Sequence, residues 1–554
     1  MSDHCKGAKP ELVKLKLRAQ PEYWQSLEER DHGVRDRGEF PGGLPAGKDD
    51  TTDHDGDHTR RDFLGLMGFG AAAATMAACR APETKAVPIA VATDDMVPGV
   101  PNFYATTCGG CASACSLLVK QRDGRPIKVE GNELSTLFGG ATCATGQATV
   151  LSLYDQERLR QPMWDGKPAE GHDADLQWRD VDDKIAAGLE EARAKQGKVV
   201  LLSTTITSPT LLAVIDRWRK AFPGFRHVTY DPMSASALRA AAAVAFGRPL
   251  IPHYAFDRAK VIVGIDADFL GTWLSPVEFA RQYARGRAPE QPPGLHVQLE
   301  PGMSVTGSNA DQRIAVAPSQ LGAVAAALLA RIARKAGEAD VTAPADPVKP
   351  AILDQVADEL WKHRGDSLVV AGANDTATQL VVLTINRLLG NVGKTLDVDR
   401  PSLQRQGDDD AMAQLVADME GGNVHTVILH GVNPVYDYVD GAKFAAALSK
   451  VPLSISTADR MDETAAKAKA VCPDHHFLES WGDAEPVAGM LSLTQPLIAP
   501  LFDTRSVVDS LLRWLGEPGT HYEVLRDYWR TQVLPRQGGV TGARDFDGFW
   551  DQTL

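Results

Sequence analysis

The chain has 554 residues, 44% of them apolar and 23% charged, with a formal net charge of −14. That length can bury more than one core and predicts roughly two to four domains. The acidic balance argues against nucleic acid as a partner, and no internal apolar run reaches the ~18–20 residues that a membrane-spanning helix needs.

Residues 1–58 are polar and rich in Asp, His and Gly, which predicts little order beyond a short amphipathic piece, Pro21–Arg30. Thr59-Arg60-Arg61-Asp62-Phe63-Leu64 then leads into an apolar run ending at Ala78. Paired arginines, a short apolar stretch and small residues make residues 59–79 a twin-arginine export signal. The competing reading is a buried Ala-rich helix. Cys79 follows Met76-Ala77-Ala78, a lipobox-like end. It predicts a lipid anchor at the periplasmic face of the cytoplasmic membrane, not a spanning segment; an ordinary cleaved signal is the alternative. Residues 80–101, rich in Ala, Val and Pro, read as a tether.

Four of the seven cysteines then fall close together. Cys108, Cys111 and Cys115 give C-x2-C-x3-C, and Cys143 follows after a predicted hairpin whose strands are Leu117–Gln121 and Pro126–Glu130. A dense triplet can aim three thiolates into one cavity while the hairpin returns a fourth, the set a cubane 4Fe-4S cluster requires. The spacing does not suit a zinc ribbon, which pairs two C-x2-C knuckles. Another metal or two disulfides are the alternatives.

From Trp178 the pattern becomes α/β. Helical periodicity marks Val181–Lys195, Ser208–Phe222, Ala235–Phe246 and Gln320–Ala336. Val/Ile-rich runs mark strands Lys198–Ser203, His227–Tyr230, Lys260–Ile265 and His296–Glu300. After an Ala/Pro-rich linker at 338–350 the alternation resumes. Its helices are Ala351–His363 and Thr376–Leu389, and its strands Ser367–Ala371, Val424–Leu429 and Val451–Ser456. Helices alternating with buried strands predict parallel sheets covered on both faces. Helix-like Ser506–Leu515 and Tyr522–Val533 precede a Gly-rich tail.

The cysteine motif, DGRPIKVEGN at 123–132, CATGQA at 143–148 and LYDQERLRQP at Leu153–Pro162 together resemble the N-terminal cluster domain of the molybdenum/tungsten bis-pterin oxidoreductases. PEYWQSLEE ahead of the export signal resembles the extended-signal subfamily, which includes the large iron–sulfur subunit of alternative complex III. Further matches to that subunit's N-terminal half are Asp266–Gly271, Thr306–Arg313, Leu388–Thr395, His430–Asp437, Leu478–Pro486 and Leu493–Arg505.

The resemblance implies a 4Fe-4S domain at 102–162 and two Rossmann-like α/β domains at 163–337 and 351–490. It implies a C-terminal segment at 491–554 in place of the family's cap domain. Cys108, Cys111, Cys115 and Cys143 would hold the cluster. The implied function is a redox subunit of a membrane-associated quinol:electron-acceptor oxidoreductase. Its partners would be a ferredoxin-like iron–sulfur subunit, a polytopic quinol-oxidising subunit and c-type cytochromes.

Two departures from the family bear on a Mo-bis-pterin. The position two residues after the fourth cysteine, usually Lys or Arg, is Thr145. The loop expected to supply a metal ligand contains no cysteine and offers Asp231, Ser234 or Ser236. The favoured expectation is therefore one cluster and no pterin. A catalytic molybdenum enzyme, with Ser234 or Ser236 on the metal, is the rival, and a cofactor-free scaffold is the third reading. Asp474-His475-His476 is a weak metal motif without a third ligand nearby, and Cys472 reads as a buried structural thiol.

Overall fold

A computed structural model describes residues 97, 99–289, 294–338, 341–342, 345–536, 543 and 545–554, all within one unit, Val91–Leu554. The export signal, Cys5 and Cys79 lie outside the described residues, as does most of the tether. No helix among the described residues is long and apolar enough to cross a membrane.

The chain opens with a three-stranded antiparallel sheet, Asn102–Thr107, Ser116–Arg122 and Arg125–Gly131, in that order. The second hairpin closes at Arg122↔Arg125 around Asp123-Gly124, both at positive φ (51° and 79°). That is the two-residue turn whose twist matches paired strands, and Gly at its second position removes the steric cost. A helix, Ala144–Leu153, then packs against the third strand.

Two parallel sheets make up the body. One runs Gln312–Ala315, Leu295–Glu300, Val261–Ile265 and Ser367–Ala371, all parallel. The other has seven strands. Its parallel part runs Ala470–Val471, Leu453–Ser456, Val424–His430, Lys198–Ser203 and Arg226–Thr229, and the short antiparallel strands Met163–Trp164 and Lys167–Pro168 extend it. Side chains alternate across the sheet. Val199, Leu201, Ile428 and Ile455 join one core, while Val200, Leu202, Val427 and Leu429 join another. This is the two-faced burial expected of parallel strands. A third sheet, antiparallel, runs Met490–Thr494, Gly482–Val487, Leu396–Ser402 and Ile251–Tyr254.

The α/β class is as expected, but the sheets do not follow the boundaries 163–337 and 351–490. Val424–His430 pairs with Lys198–Ser203, and Ser367–Ala371 pairs with Val261–Ile265. The four-stranded sheet is therefore inserted, in sequence, between two halves of the seven-stranded one. A buried strand's pattern reports burial on both faces but carries no mark of which strand lies beside it.

The C-terminal stretch also differs from the expected tail. Helix Phe546–Thr553 packs Phe546, Phe549 and Trp550 into a cluster with Trp529, Leu525 and Val533. Trp529 also donates its indole N–H to buried Asp483 at 2.9 Å, a carboxylate that Ser208 and Thr210 likewise serve. Phe549 is fully buried, so Phe549→Ala should cost about 3–5 kcal/mol, read as a lowered midpoint in urea unfolding. An unshifted midpoint would show that this helix carries no part of the stability.

Candidate metal centre and the cleft beside it

Three of the four candidate thiols share one loop. The strands Asn102–Thr107 and Ser116–Arg122 end their pairing at Thr107↔Ser116, and Cys108 N–H donates to Cys115 C=O at 2.8 Å. Residues 108–115 are thus a closed hairpin loop, with Ala114 at φ 49° making its sharp return. Cys143 arrives as the N-cap of helix Ala144–Leu153, its Sγ accepting from Gly146 N–H at 3.3 Å. Cys108 Sγ accepts from Gly110 N–H at 3.4 Å. Backbone donors thus reach two of the sulfurs, and a helix N-terminus points its partial positive charge at one of them.

All four thiols are free, so the disulfide reading does not hold. Burial raises the Cys115 thiol well above the ordinary thiol range, and Cys108, Cys111 and Cys143 raise it further. Burial likewise pushes Cys108 up to about 11, against the Gly110 N–H, with Cys111 and Cys143 adding to it. The four sulfurs therefore share one electrostatic neighbourhood. Bound metal would replace these protons.

Among the described residues no three His, Cys, Asp or Glu groups are gathered tightly enough for one metal ion. Thiolates on a single zinc converge on one point at about 2.3 Å each, whereas a cubane spreads its four ligands over separate irons. Four free thiols in one electrostatic neighbourhood, two with N–H donors, fit the cluster in donor type and number. Cys111 is exposed, which puts one corner of the set at the surface.

A buried ion pair clamps this domain to the body. Arg158 from the LYDQERLRQP stretch meets Glu479 from LESWGDAEP through two bonds, 3.2 and 2.7 Å, with both side chains fully buried. Arg158 also donates to Leu153 C=O at the end of the cysteine helix, and Glu479 accepts from His476 and Leu501 N–H. Segment 474–482 is thereby pressed onto the cysteine loop. A Cβ added at Gly109 would lie 2.6 Å from Phe477 Cβ.

Between the cysteine loop and the carboxyl ends of the seven-stranded sheet lies a cleft of about 520 Å³. Gly109, Gly110 and Ser152 form one wall; His430, Asp474 and His521 stand opposite. In parallel sheets such crevices at strand ends are where ligands bind. His476 accepts from Leu478 N–H at Nδ1, which leaves Nε2–H to donate to Ser152 Oγ at 3.0 Å. His430 Nδ1 meets Thr457 Oγ1 at 2.8 Å and lies 4.0 Å from Asp474 Oδ2. Neither ring nitrogen of His521 has a partner, although both are buried. The sequence presented Asp474-His475-His476 as an isolated motif. What completes the group is His430, at the end of a parallel strand, and His521, which carries no sequence signal.

The other candidate ligands have structural work. Asp231 is buried and accepts from Thr204, Thr205 and Gly407. Ser234 Oγ bonds Asp409 and accepts from Ser236 N–H, while Ser236 Oγ accepts from Asp409 N–H. Ala235 occupies the N-cap position of helix Ser236–Phe246 without a side-chain bond. Thr145 is exposed on the first turn of the cysteine helix.

Ser234 lines a separate crevice of about 220 Å³ at the ends of the other parallel sheet, with Asp266, Asp268 and Arg405. Both crevices thus set carboxylates at the strand ends, beside a single arginine each, Arg405 or Arg460. At the cleft, Val507 N–H, which opens helix Val507–Leu515, already donates to Asp474 Oδ1. Phosphate groups need free N–H donors and positive charge at such positions. The residues present do not fit a pterin nucleotide.

Burial pushes the Glu479 carboxyl up, but Arg158 and the Leu501 and His476 N–H groups outweigh it and hold it below the usual carboxylate range. Its stabilisation should be complete above the unfolded carboxyl pKa of about 4.3 and be lost as pH falls through the lower folded value. Glu479→Gln leaves a buried guanidinium without its counter-charge and should cost about 3–5 kcal/mol. In urea unfolding across pH 3–7, the variant should show a shallower acid-side slope than the parent; an unchanged slope would remove the pair from the stability account.

Comparison with known proteins agrees with this geometry. Residues 101–155 match the molybdopterin oxidoreductase Fe4S4 domain. The menaquinone reductase molybdopterin-binding-like subunit of Nitratidesulfovibrio vulgaris (strain Hildenborough) is 24% identical over 495 residues, covering 81% of this chain and 70% of that protein. The molybdopterin-containing subunit of the arsenate respiratory reductase of Shewanella sp. (strain ANA-3) is 40% identical over 77 residues, only 14% of this chain and 9% of that one. Acetylene hydratase from Pelobacter acetylenicus shares the fold, with a TM-score of 0.55 at 12% identity over 74% of this chain and 69% of that one. Residues 101–155 are a molybdopterin oxidoreductase Fe4S4 domain, and the chain that carries them is a homologue of the menaquinone reductase molybdopterin-binding-like subunit.

Proposed function

We propose that this chain is a periplasmic iron–sulfur redox subunit of a membrane-associated quinol:electron-acceptor oxidoreductase of the alternative complex III type, with one 4Fe-4S cluster and no pterin. Four free, electrostatically coupled thiols, three on one loop and one at a helix N-terminus, carry the reading. Cys108, Cys111, Cys115 and Cys143 would hold the cluster, which supplies a one-electron carrier when bound. The Gly110 and Gly146 N–H groups would tune it by donating to sulfur. Exposed Cys111 leaves a short approach for a partner's redox centre. The menaquinone reductase relative supports membrane respiratory partners. The finer partner set proposed is a ferredoxin-like subunit, a polytopic quinol-oxidising subunit and c-type cytochromes. Export by the twin-arginine route suits a cluster inserted before the folded chain crosses the membrane.

Anaerobically purified chain should contain about four irons, with broad visible absorption, and no stoichiometric molybdenum or tungsten. Cys115→Ser should lose most of that iron, and Cys472→Ser, whose thiol is buried in the sheet core, should keep it. Extractable pterin with stoichiometric molybdenum would establish the catalytic reading instead; a chain without iron would establish the scaffold reading.

Location has its own test. Replacing Arg60 and Arg61 by Lys should leave the chain in the cytoplasm, and Cys79→Ala should release exported chain from the membrane fraction. Unchanged fractionation in both would overturn the export assignment.

A further inference from the structure

The cleft beside the cysteine loop gathers proton-binding groups that electron transfer through four thiolates does not itself require. Asp474 lines it. Oδ1 accepts from His475 N–H at 2.8 Å and Val507 N–H at 3.0 Å, while Oδ2 faces His430 Nδ1 at 4.0 Å with no donor in bonding range. His521 lines the same space with both ring nitrogens buried and unpartnered. The opposite wall is the cysteine loop, at Gly109 and Gly110, and the cysteine helix, at Thr149 and Ser152. His476 bonds Ser152 Oγ, and Ser152 Oγ donates to Thr149 C=O at 2.8 Å, so the cleft is tied to that helix.

We propose that Asp474 is the proton-binding site coupled to the metal centre, taking up one proton when the neighbouring cluster takes up one electron. This rests on the cluster reading above. The balance is simple. A one-electron donor protein gives up an electron to the cluster. The Asp474 carboxylate takes one proton from water to become a carboxylic acid, and no other bond changes. The net charge of the region is then unchanged by reduction. A negative charge added across partly buried protein raises a neighbouring carboxylate's proton affinity.

The surroundings leave Asp474 free to titrate. From the parallel strand it faces neutral His430; from the loop beyond Leu453–Ser456 come Asp459 and Arg460, which pair with each other. Its own segment supplies His475, His476 and Glu479, the last neutralised by Arg158. Helix Val507–Leu515 supplies Asp509, held by Ser506, and His521 completes the ring. Beneath the segment, Arg505 is matched by Asp182. Among the described residues around it, each of these cations is matched by a carboxylate other than Asp474. Burial, against its two backbone donors, pushes its carboxyl up to about 7. Burial pushes His430 and His521 down to about 4, so the imidazoles stay neutral where the carboxyl titrates.

The test is a mediated redox titration of the iron-loaded full chain, followed by electron paramagnetic resonance from pH 6 to 9. The midpoint potential should be near constant below pH 7 and fall above it, by up to about 59 mV per pH unit for one proton per electron. Asp474→Asn with unchanged iron content should flatten the profile. Should that variant fail to load, the parent alone decides by infrared difference spectroscopy. Reduction should bring up a protonated-carboxyl C=O band that shifts in D2O. A flat profile in the parent, a parent-like slope in Asp474→Asn, or no such band would overturn the proposal while leaving the cluster in place. A chain without iron would remove the cluster reading and this inference together, a distinguishable result.

Discussion

The Arg158–Glu479 pair is the constraint on which the arrangement depends. Two fully buried charges are expensive to desolvate, and each is supported by further bonds besides the pair itself. Arg158 reaches back to the C-terminal end of the cysteine helix; Glu479 takes the N–H groups of His476 and Leu501. One contact therefore fixes the helix that begins at Cys143, the loop that carries the cleft histidines, and the segment leading to the last α/β helix. Phe477 then sits against Gly109 so closely that no side chain fits there. The cysteine loop has one seat on the body, and its glycine is what permits it.

Burial of the thiols follows from the same seating. Cys108 and Cys115 pack among Leu117, Val119, Val129 and Leu478, an apolar shell in which a lone thiolate is unfavourable. Such a shell is a poor environment for two idle thiols and suits the wall of a metal cluster, whose charge supplies what solvent does not. Apolar walls and N–H donors to sulfur are also the means by which a protein sets a cluster's potential. Stability and redox tuning here draw on the same side chains.

Local features were legible in the sequence where one residue type satisfies one local requirement. The Asp123-Gly124 turn, the buried strands Lys198–Ser203 and Ser367–Ala371, and the triplet Cys108, Cys111 and Cys115 are of this kind. The interleaving of the two sheets was not legible, because Val424–His430 would look the same whichever strand it joined. Nor were helix Phe546–Thr553, whose aromatics look like a tail until Trp529 is placed beside them, and the cleft. His430, Asp474 and His521 are far apart in sequence, and each is unremarkable alone. Only the convergence of parallel strand ends on one side of the sheet makes them a site.

The contents of the two crevices bear on what such a body does. A fold that carries nucleotides at its strand ends must offer N–H groups and positive charge there. This chain has spent the Val507 N–H on Asp474 and set Asp266 and Asp268 in the other crevice. Asp268 accepts from the N–H and hydroxyl of Thr306, and Asp231, in the loop that could have supplied a metal ligand, is saturated by four donors. Side chains of the protein itself thus take bonds that a dinucleotide would otherwise claim. Internal carboxylates occupy these donors, while the four sulfurs remain free. That distribution supports the proposed electron-carrying role, and the cleft's carboxylate and imidazoles suit the smallest ligand they bind, the proton.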